Sequence, residues 1–177
     1  HGGAQSIIWT TGASGSAIEM DGVDDYVDVA GESLNLGSGD FTLEVFVQLN
    51  ELPTLGTSDD LLGIENPGNT QQQAYLRLTN VNNVPAVRFF GRDDAGDQLS
   101  FNGSTALTSH TWNHVVATRS GSQVKVYLNG QLEISGTNAD MGELMVSGNW
   151  NFGRAWGQTG NNQLNGLLDE VAIYNRA

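Results

Sequence analysis

Residues 41–49 alternate strictly. Phe41, Leu43, Val45, Val47 and Leu49 fall on one side of an extended chain, and Thr42, Glu44, Phe46 and Gln48 on the other. A period of two marks a strand with one buried face and one exposed face. Further strand-length runs are read at Ala17–Met20, Tyr26–Val29, Leu61–Ile64, Ala74–Thr79, Ala86–Gly91, Gln98–Asn102, Trp112–Arg119, Gln123–Leu128, Gln131–Ile134, Trp150–Arg154 and Leu167–Tyr174. No long stretch carries the i, i+3, i+4 apolar rhythm of a helix. Turn formers separate the runs, among them Asp21-Gly22, Ser120-Gly121-Ser122 and Asn129-Gly130. Asn-Gly is the strongest short hairpin signal, because both residues tolerate the left-handed region of a type I′ turn. Many short strands joined this way predict an all-β sandwich or jelly roll.

Composition narrows the picture. The chain has 177 residues, enough for one domain with a full core, and its 23 Gly against 3 Pro suit tight turns. Residues 1–16, Gly- and Ser-rich around Ile7-Ile8-Trp9, read as a linker or an edge strand, and residues 17–177 as the folded domain. Twenty Asp and Glu against seven Lys and Arg give a formal net charge of −13. Nucleic-acid binding needs the opposite sign, and an anionic membrane surface is disfavoured for the same reason. No apolar run approaches the ~20 residues of a membrane-spanning helix. Cysteine is absent, which decides little about compartment. The acidic surface, with Lys125 the single lysine, suits a salty or marine environment. A start at His1-Gly2-Gly3 is expected of a processed or excised fragment, and chelation of copper by His1 is disfavoured because no second histidine sits in a matching context.

The order Trp112-Asn113-His114-Val115-Val116-Ala117, Ser-Gly turn, Val124 to Gly130 and then Gly166 to Ala177 forms a pattern. With Ile18 to Val27 and Phe41-Thr42-Leu43-Glu44, it resembles the laminin-G-like, concanavalin A-like jelly roll of bacterial secreted modules. The resemblance covers roughly Ala17 to Ala177. It implies an antiparallel β-sandwich jelly roll in which Ile18 to Val27 forms the first hairpin. It also implies that the last strand pairs near the first, bringing Asp169 close to Asp21. Those two positions look like the ones whose side chains hold a structural calcium ion, the expected cofactor (Ca2+), clipping the chain ends together. Calcium takes six to eight oxygens, usually carboxylates and turn carbonyls. The Asp93-Asp94-Ala95-Gly96-Asp97 loop is a second oxygen-rich candidate.

Catalysis finds little support in the residues. Retaining glycoside hydrolysis needs two carboxylates ~5 Å apart, and no Glu-x-Asp-x-x-Glu run lies along a strand. Asp24-Asp25, Asp59-Asp60 and Asp93-Asp94 read as turn residues, and no serine has a nucleophile-elbow context. His110 and His114 would lie ~13 Å apart on a strand, too far to share a metal. His114 is expected to hydrogen-bond within the sheet.

Binding is the positive expectation. Period two puts Tyr75, Arg77 and Thr79 on one face of their strand, and Arg88, Phe90 and Arg92 on one face of the next. If the two strands pair, three of the chain's six arginines share a patch with two aromatic rings. Guanidinium forks recognise carboxylates and sulfates bidentately, and aromatic faces stack on sugars. Arg154, between Trp150 and Trp156 and with Asn149, Asn151, Gln158, Asn161 and Asn162 around, forms a second group of suitable chemistry. The expected function is a non-catalytic carbohydrate-binding module targeting a secreted polysaccharide-degrading enzyme to its polysaccharide, anionic, marine or cell-wall. Its partners would be a polysaccharide or oligosaccharide and a covalently linked catalytic domain, with no nucleic acid and no membrane insertion. An adhesion or protein-interaction module of a cell-surface protein is the rival, and a divergent lyase or hydrolase the third reading.

Overall fold

The computed structural model describes residues 8–30, 36–66, 69–144, 148–154 and 162–177. Strands β1 (Ile8–Thr11), β2 (Ser16–Asp21), β3 (Val27–Val29), β4 (Phe41–Leu49), β5 (Ser58–Asn66), β6 (Asn69–Val81) and β7 (Val84–Arg92) come first. They are followed by β8 (Gln98–Asn102), β9 (Trp112–Ser120), β10 (Gln123–Leu128), β11 (Gln131–Thr137), β12 (Trp150–Phe152) and β13 (Asn165–Tyr174). They form a seven-stranded sheet, β1-β2-β13-β4-β9-β10-β11, and a six-stranded sheet, β3-β12-β5-β6-β7-β8. Neighbouring strands are antiparallel, so the molecule is the expected antiparallel β-sandwich jelly roll.

Parity builds the core. Phe41, Leu43, Val45, Val47 and Leu49 of β4 are all fully buried, and the residues between them are partly exposed. Leu76, Leu78, Val87 and Phe89 answer from the six-stranded sheet. Phe41 and Phe89 meet across the layers with ring centroids 6.4 Å apart. Trp150, one of the aromatics considered for ligand contact, has 0% exposure and belongs to this core.

The hairpins follow the turn residues. Asn129 and Gly130 both have positive φ, 51° and 79°, between β10 and β11. Gly121 at φ 57° turns β9 into β10. Asn82 and Asn83, at φ 55° and 64°, do the same between β6 and β7. The expected first hairpin does not form. β2 pairs with β1 and β13, whereas β3 pairs with β12 in the other sheet. Asp21 explains the crossing. Its Oδ1 accepts the backbone N–H groups of Val23 (2.8 Å) and Asp24 (3.3 Å), an Asx turn that carries the chain between layers.

One end of the core is closed by buried polar residues. Arg119, 2% exposed, donates to the carbonyls of Gly121 (2.8 Å), Gly142 (3.0 Å) and Met141 (3.0 Å). Asp93, 0% exposed, accepts from Asp97 N–H (2.8 Å) and Gly142 N–H (2.7 Å). Both Asp93 oxygens therefore hold loop amides, so this member of the expected oxygen-rich loop is committed to the fold. The loop delivers Met141 and Leu144 into the core.

Trp150→Ala is expected to lower unfolding free energy by ~3–5 kcal/mol, the cost of emptying a large core site. Urea unfolding followed by circular dichroism measures it, and an unchanged midpoint would remove Trp150 from the core.

Candidate functional site: the outer face of the six-stranded sheet

Directly opposed residues in paired strands share a face of the sheet. Asp28, Asn151, Gly63, Tyr75, Phe90 and Ser100 are successive cross-strand partners through β3, β12, β5, β6, β7 and β8. They form one outward row across the whole sheet. The adjacent row runs Asp60, Arg77, Arg88 and Asn102. Arg92 lies opposite Gln73 on the other side of the first row. Tyr75, Arg77, Arg88, Phe90 and Arg92 are thus brought onto one surface, because β6 and β7 pair with Tyr75 opposite Phe90.

The arrangement is layered. The Tyr75 ring lies across Gly63, where a Cβ would collide with it, so glycine is what lets the ring lie flat on the sheet. Tyr75 stacks on Phe90 at 6.3 Å between centroids. Arg77 sits over the Tyr75 ring at 4.7 Å, and Arg88 and Arg92 over Phe90 at 5.9 and 5.4 Å. Tyr75 is only 5% exposed as a result. Tyr75 is therefore a floor beneath the guanidinium groups rather than an exposed stacking surface, whereas Phe90 stays partly exposed between Arg88 and Arg92.

Two buried polar residues support the floor. Asp60 has 0% exposure and its Oδ1 lies 2.7 Å from Arg77 Nε. Asn151 faces outward yet is only 1% exposed, and its Nδ2 donates to the Asn149 carbonyl at 3.2 Å. Arg88 Nη2 donates to Ser100 Oγ at 2.9 Å. Burial, and then the neighbouring Arg77, push the Arg88 pKa below the usual guanidinium value, against a smaller opposing pull from Asp60. Sequence reading passed over Asp60 and Gly63, and placed Asn151 with Arg154 rather than in this row. Asp59-Asp60 looked like a turn, whereas β5 begins at Ser58 and turns Asp60 towards Arg77.

At the β3–β12 edge, the Arg154 guanidinium carbon lies 3.3 Å from the centroid of the Tyr26 ring. Trp156 lies outside the described residues, as does His1. On the seven-stranded sheet, His114 Nε2 is 2.8 Å from Glu44 Oε1 and its ring stacks on Phe46 at 4.3 Å, an in-sheet role. His110 is in a turn at φ 57°, off the strand that carries His114.

Asp21 and Asp169 do not converge. Asp21 pairs with Asn165, four positions from Asp169 and ~13 Å along the strand. Asp169 Oδ2 accepts Ser14 N–H at 2.8 Å and Oδ1 accepts Glu170 N–H at 2.9 Å, pinning the β1–β2 turn. The pair therefore cannot share an ion. Asp21, Asp24 and Asp25 do converge, offering carboxylate oxygens within 4.8 Å of one another, a hard donor set of calcium type. Burial first, and then Asp21, raise the Asp25 pKa.

A cleft of about 380 Å³ opens beside this turn, lined by Asp21, Glu51, Asp59, Gln163 and Asn165 among others. Burial, then Asp60 and Glu51, raise the Asp59 pKa from 3.8 to about 7. A raised carboxylate pKa means stability is greatest below the unfolded value and is lost as pH rises through the folded value. Asp59→Asn is accordingly expected to raise the melting temperature by several degrees at pH 8 in chelator, the gain vanishing near pH 4. Calorimetric melts across that range check it, and a pH-independent gain would contradict it.

Residues 21–177 match the family model of the concanavalin A-like lectin/glucanases superfamily. No curated protein sequence matched the chain. The binding domain of Paraclostridial Mosquitocidal Protein 1 is similar in structure, with TM-score 0.77 and 21% identity over 97% of this chain and 42% of that one. This chain thus spans less than half of that relative's length. Domain 4 of AbnA, a GH43 extracellular arabinanase from Geobacillus stearothermophilus in complex with arabinotriose, aligns with TM-score 0.72 and 20% identity, over 98% of this chain and 77% of that one. The CBM40 of the Ruminococcus gnavus IT-sialidase, bound to α2,3-sialyllactose, aligns with TM-score 0.74 and 16% identity over 98% and 94% of the two chains. At these identities the likeness establishes the fold. The match over residues 21–177 establishes the family: this chain belongs to the concanavalin A-like lectin/glucanases superfamily.

Proposed function

We propose that the chain is a non-catalytic carbohydrate-binding module whose ligand lies on the outer face of the six-stranded sheet. The observation that carries this reading is the outward pair of rows, with three guanidinium groups laid over the Tyr75 and Phe90 rings. Planar, multiply donating groups on a supported sheet suit the many hydroxyls and ring oxygens of a saccharide. Two similarly folded domains were solved with saccharides bound, arabinotriose in one and α2,3-sialyllactose in the other. The carboxylates of the described rows favour binding over chemistry. Asp60 is held by Arg77, and Asp28 accepts from Asn149 Nδ2 at 3.2 Å. They stand two strands apart in the sheet and one row apart along the strands, ~12 Å in all, beyond the spacing of either a retaining or an inverting carboxylate pair.

In the parent protein such a module is secreted and tethered to a polysaccharide-degrading domain. It then acts by raising the local concentration of that domain on its polymer. An adhesion or protein-interaction role is the second reading. It is favoured by β1, the edge strand of the seven-stranded sheet among the described residues, where Ile8 and Trp9 are 54% and 64% exposed. We also propose that Asp21, Asp24 and Asp25 hold a structural calcium ion at the crossing between the sheets, where it would relieve their mutual repulsion.

Affinity electrophoresis through a panel of soluble polysaccharides tests the main reading. At least one polymer is expected to retard the wild type, and the double variant Phe90→Ala/Arg92→Ala to lose about tenfold in affinity, ~1.4 kcal/mol. A protein that migrates alike in every gel would support the protein-interaction role instead. Calcium at 100 times its Kd is expected to raise stability by about 2.7 kcal/mol over chelator. A melting temperature indifferent to calcium removes the ion from the fold.

A further inference from the structure

We propose that the module takes an acidic polysaccharide along its length. Arg88 receives one carboxylate or sulfate group, and the chain continues into an uncharged cleft at the β6–β7 turn. This inference rests on the carbohydrate-binding reading above and names the ligand class of the same face.

The layering argues for the acidic group. A neutral sugar is held chiefly by stacking on a bare aromatic face. Here Tyr75 is 5% exposed beneath Arg77, and the partly exposed Phe90 has both Arg88 and Arg92 within 6 Å of its ring centre, so a ligand cannot reach the rings without meeting guanidinium groups. The three arginines differ in what they face. Arg77 is neutralised by the buried Asp60 at 2.7 Å. Arg88, partly buried, donates to the neutral hydroxyl of Ser100, and its buried Nε has no hydrogen-bond acceptor among the described residues. Its charge is pressed by desolvation and by Arg77 alike. A carboxylate or sulfate over Arg88 relieves both, because a fork of N–H donors matches such an anion bidentately. In a chain of net charge −13 this is a local reversal of sign rather than part of a basic surface.

The cleft argues for a chain that runs on. Asn102 is the cross-strand partner of Arg88, and Thr79 and Ala86 lie opposite each other two positions beyond Arg77 and Arg88, with the same outward parity. A cleft of about 330 Å³ opens among Thr79, Asn82, Ala86, Asn102 and Ser104. It therefore starts beside Arg88 and extends the guanidinium row by another ~7 Å of sheet. Its lining carries no charge and sets the Asn82 and Asn102 amides and the Ser104 hydroxyl beside apolar Val81, Val84 and Ala86, a mixture that suits the hydroxyls and C–H faces of a sugar. An anion subsite followed in line by a hydroxyl subsite fits an internal segment of a polymer better than a single terminal sugar.

Calorimetry with polygalacturonate, its methyl-esterified form, a sulfated galactan and a neutral arabinan tests the proposal, together with galacturonate oligomers of two to six units. Binding of polygalacturonate or of the sulfated galactan is expected, the better of the two telling carboxylate from sulfate. Methyl esterification, Arg88→Ala and Arg88→Gln are each expected to cost tenfold or more, as for a lost charge-assisted bond, with circular dichroism unchanged. Arg77 is avoided because its loss leaves Asp60 buried and charged. Asn102→Ala is expected to weaken the longer oligomers while sparing the dimer. Equal affinity for the neutral or esterified polymers, or an unaffected Arg88→Ala, overturns the acidic ligand and leaves the module reading intact. Loss of dimer and hexamer binding alike in Asn102→Ala overturns the extended cleft. Failure of every polymer to bind overturns both readings.

Discussion

Burial of one face of each sheet against the other is the constraint on which the rest of this molecule depends. Extended chain alternates its side chains, so sending Leu76, Leu78, Val87 and Phe89 inward obliges Tyr75, Arg77, Arg88 and Phe90 to face out. A slip of one residue in either strand would bury arginines and expose the core, at a cost far beyond domain stability. The core thus selects the composition of the outer face without touching it. Function on this surface inherits the precision of the packing beneath.

What the core delivers, local interactions then shape. Gly63 leaves the space into which the Tyr75 ring lies down, and Arg77 covers the ring because Asp60 holds its guanidinium from below. A buried ion pair adds little net stability against an apolar substitute, but breaking it is costly, so it is better understood as a positioning device. It fixes one arginine, neutralises it, and leaves the next one, Arg88, as the charge that an incoming group would meet. The same four residues explain why the surface is polar although two large aromatic rings sit in it.

Elsewhere acidic and basic side chains act as loop anchors. Asp169 ties the β1–β2 turn, Asp93 and Arg119 hold residues 138–144 over one end of the core, and Glu133 Oε1 accepts from the Ser104 and Thr105 amides. Those amide bonds, with the Thr105 and Ser104 hydroxyls, draw the Glu133 pKa below its ordinary value against the opposing effect of burial. A chain without cysteine closes its loops with charge-assisted bonds instead. Many carboxylates that look like metal ligands in the sequence are committed to this work.

The sequence alone determined the architecture, because strand periodicity and turn chemistry are local. The alternation of residues 41–49 predicted β4 to the residue, and Asn129-Gly130 and Gly121 adopt the positive φ angles expected of them. It also determined which residues share the candidate face, since Tyr75, Arg77, Arg88, Phe90 and Arg92 follow from period two once β6 and β7 pair. Tertiary structure decided the rest. Whether Asp21 reaches Asp169 depends on strand register, which pairs Asp21 with Asn165 four positions away from Asp169, and whether β2 and β3 form a hairpin depends on which sheet each joins. Asp60 and Gly63 carry no signal in isolation, because their importance lies in contact with Arg77 and Tyr75 from a neighbouring strand. Local pattern specifies an element and its faces. Contact between elements distant in the chain specifies which of those faces becomes a site.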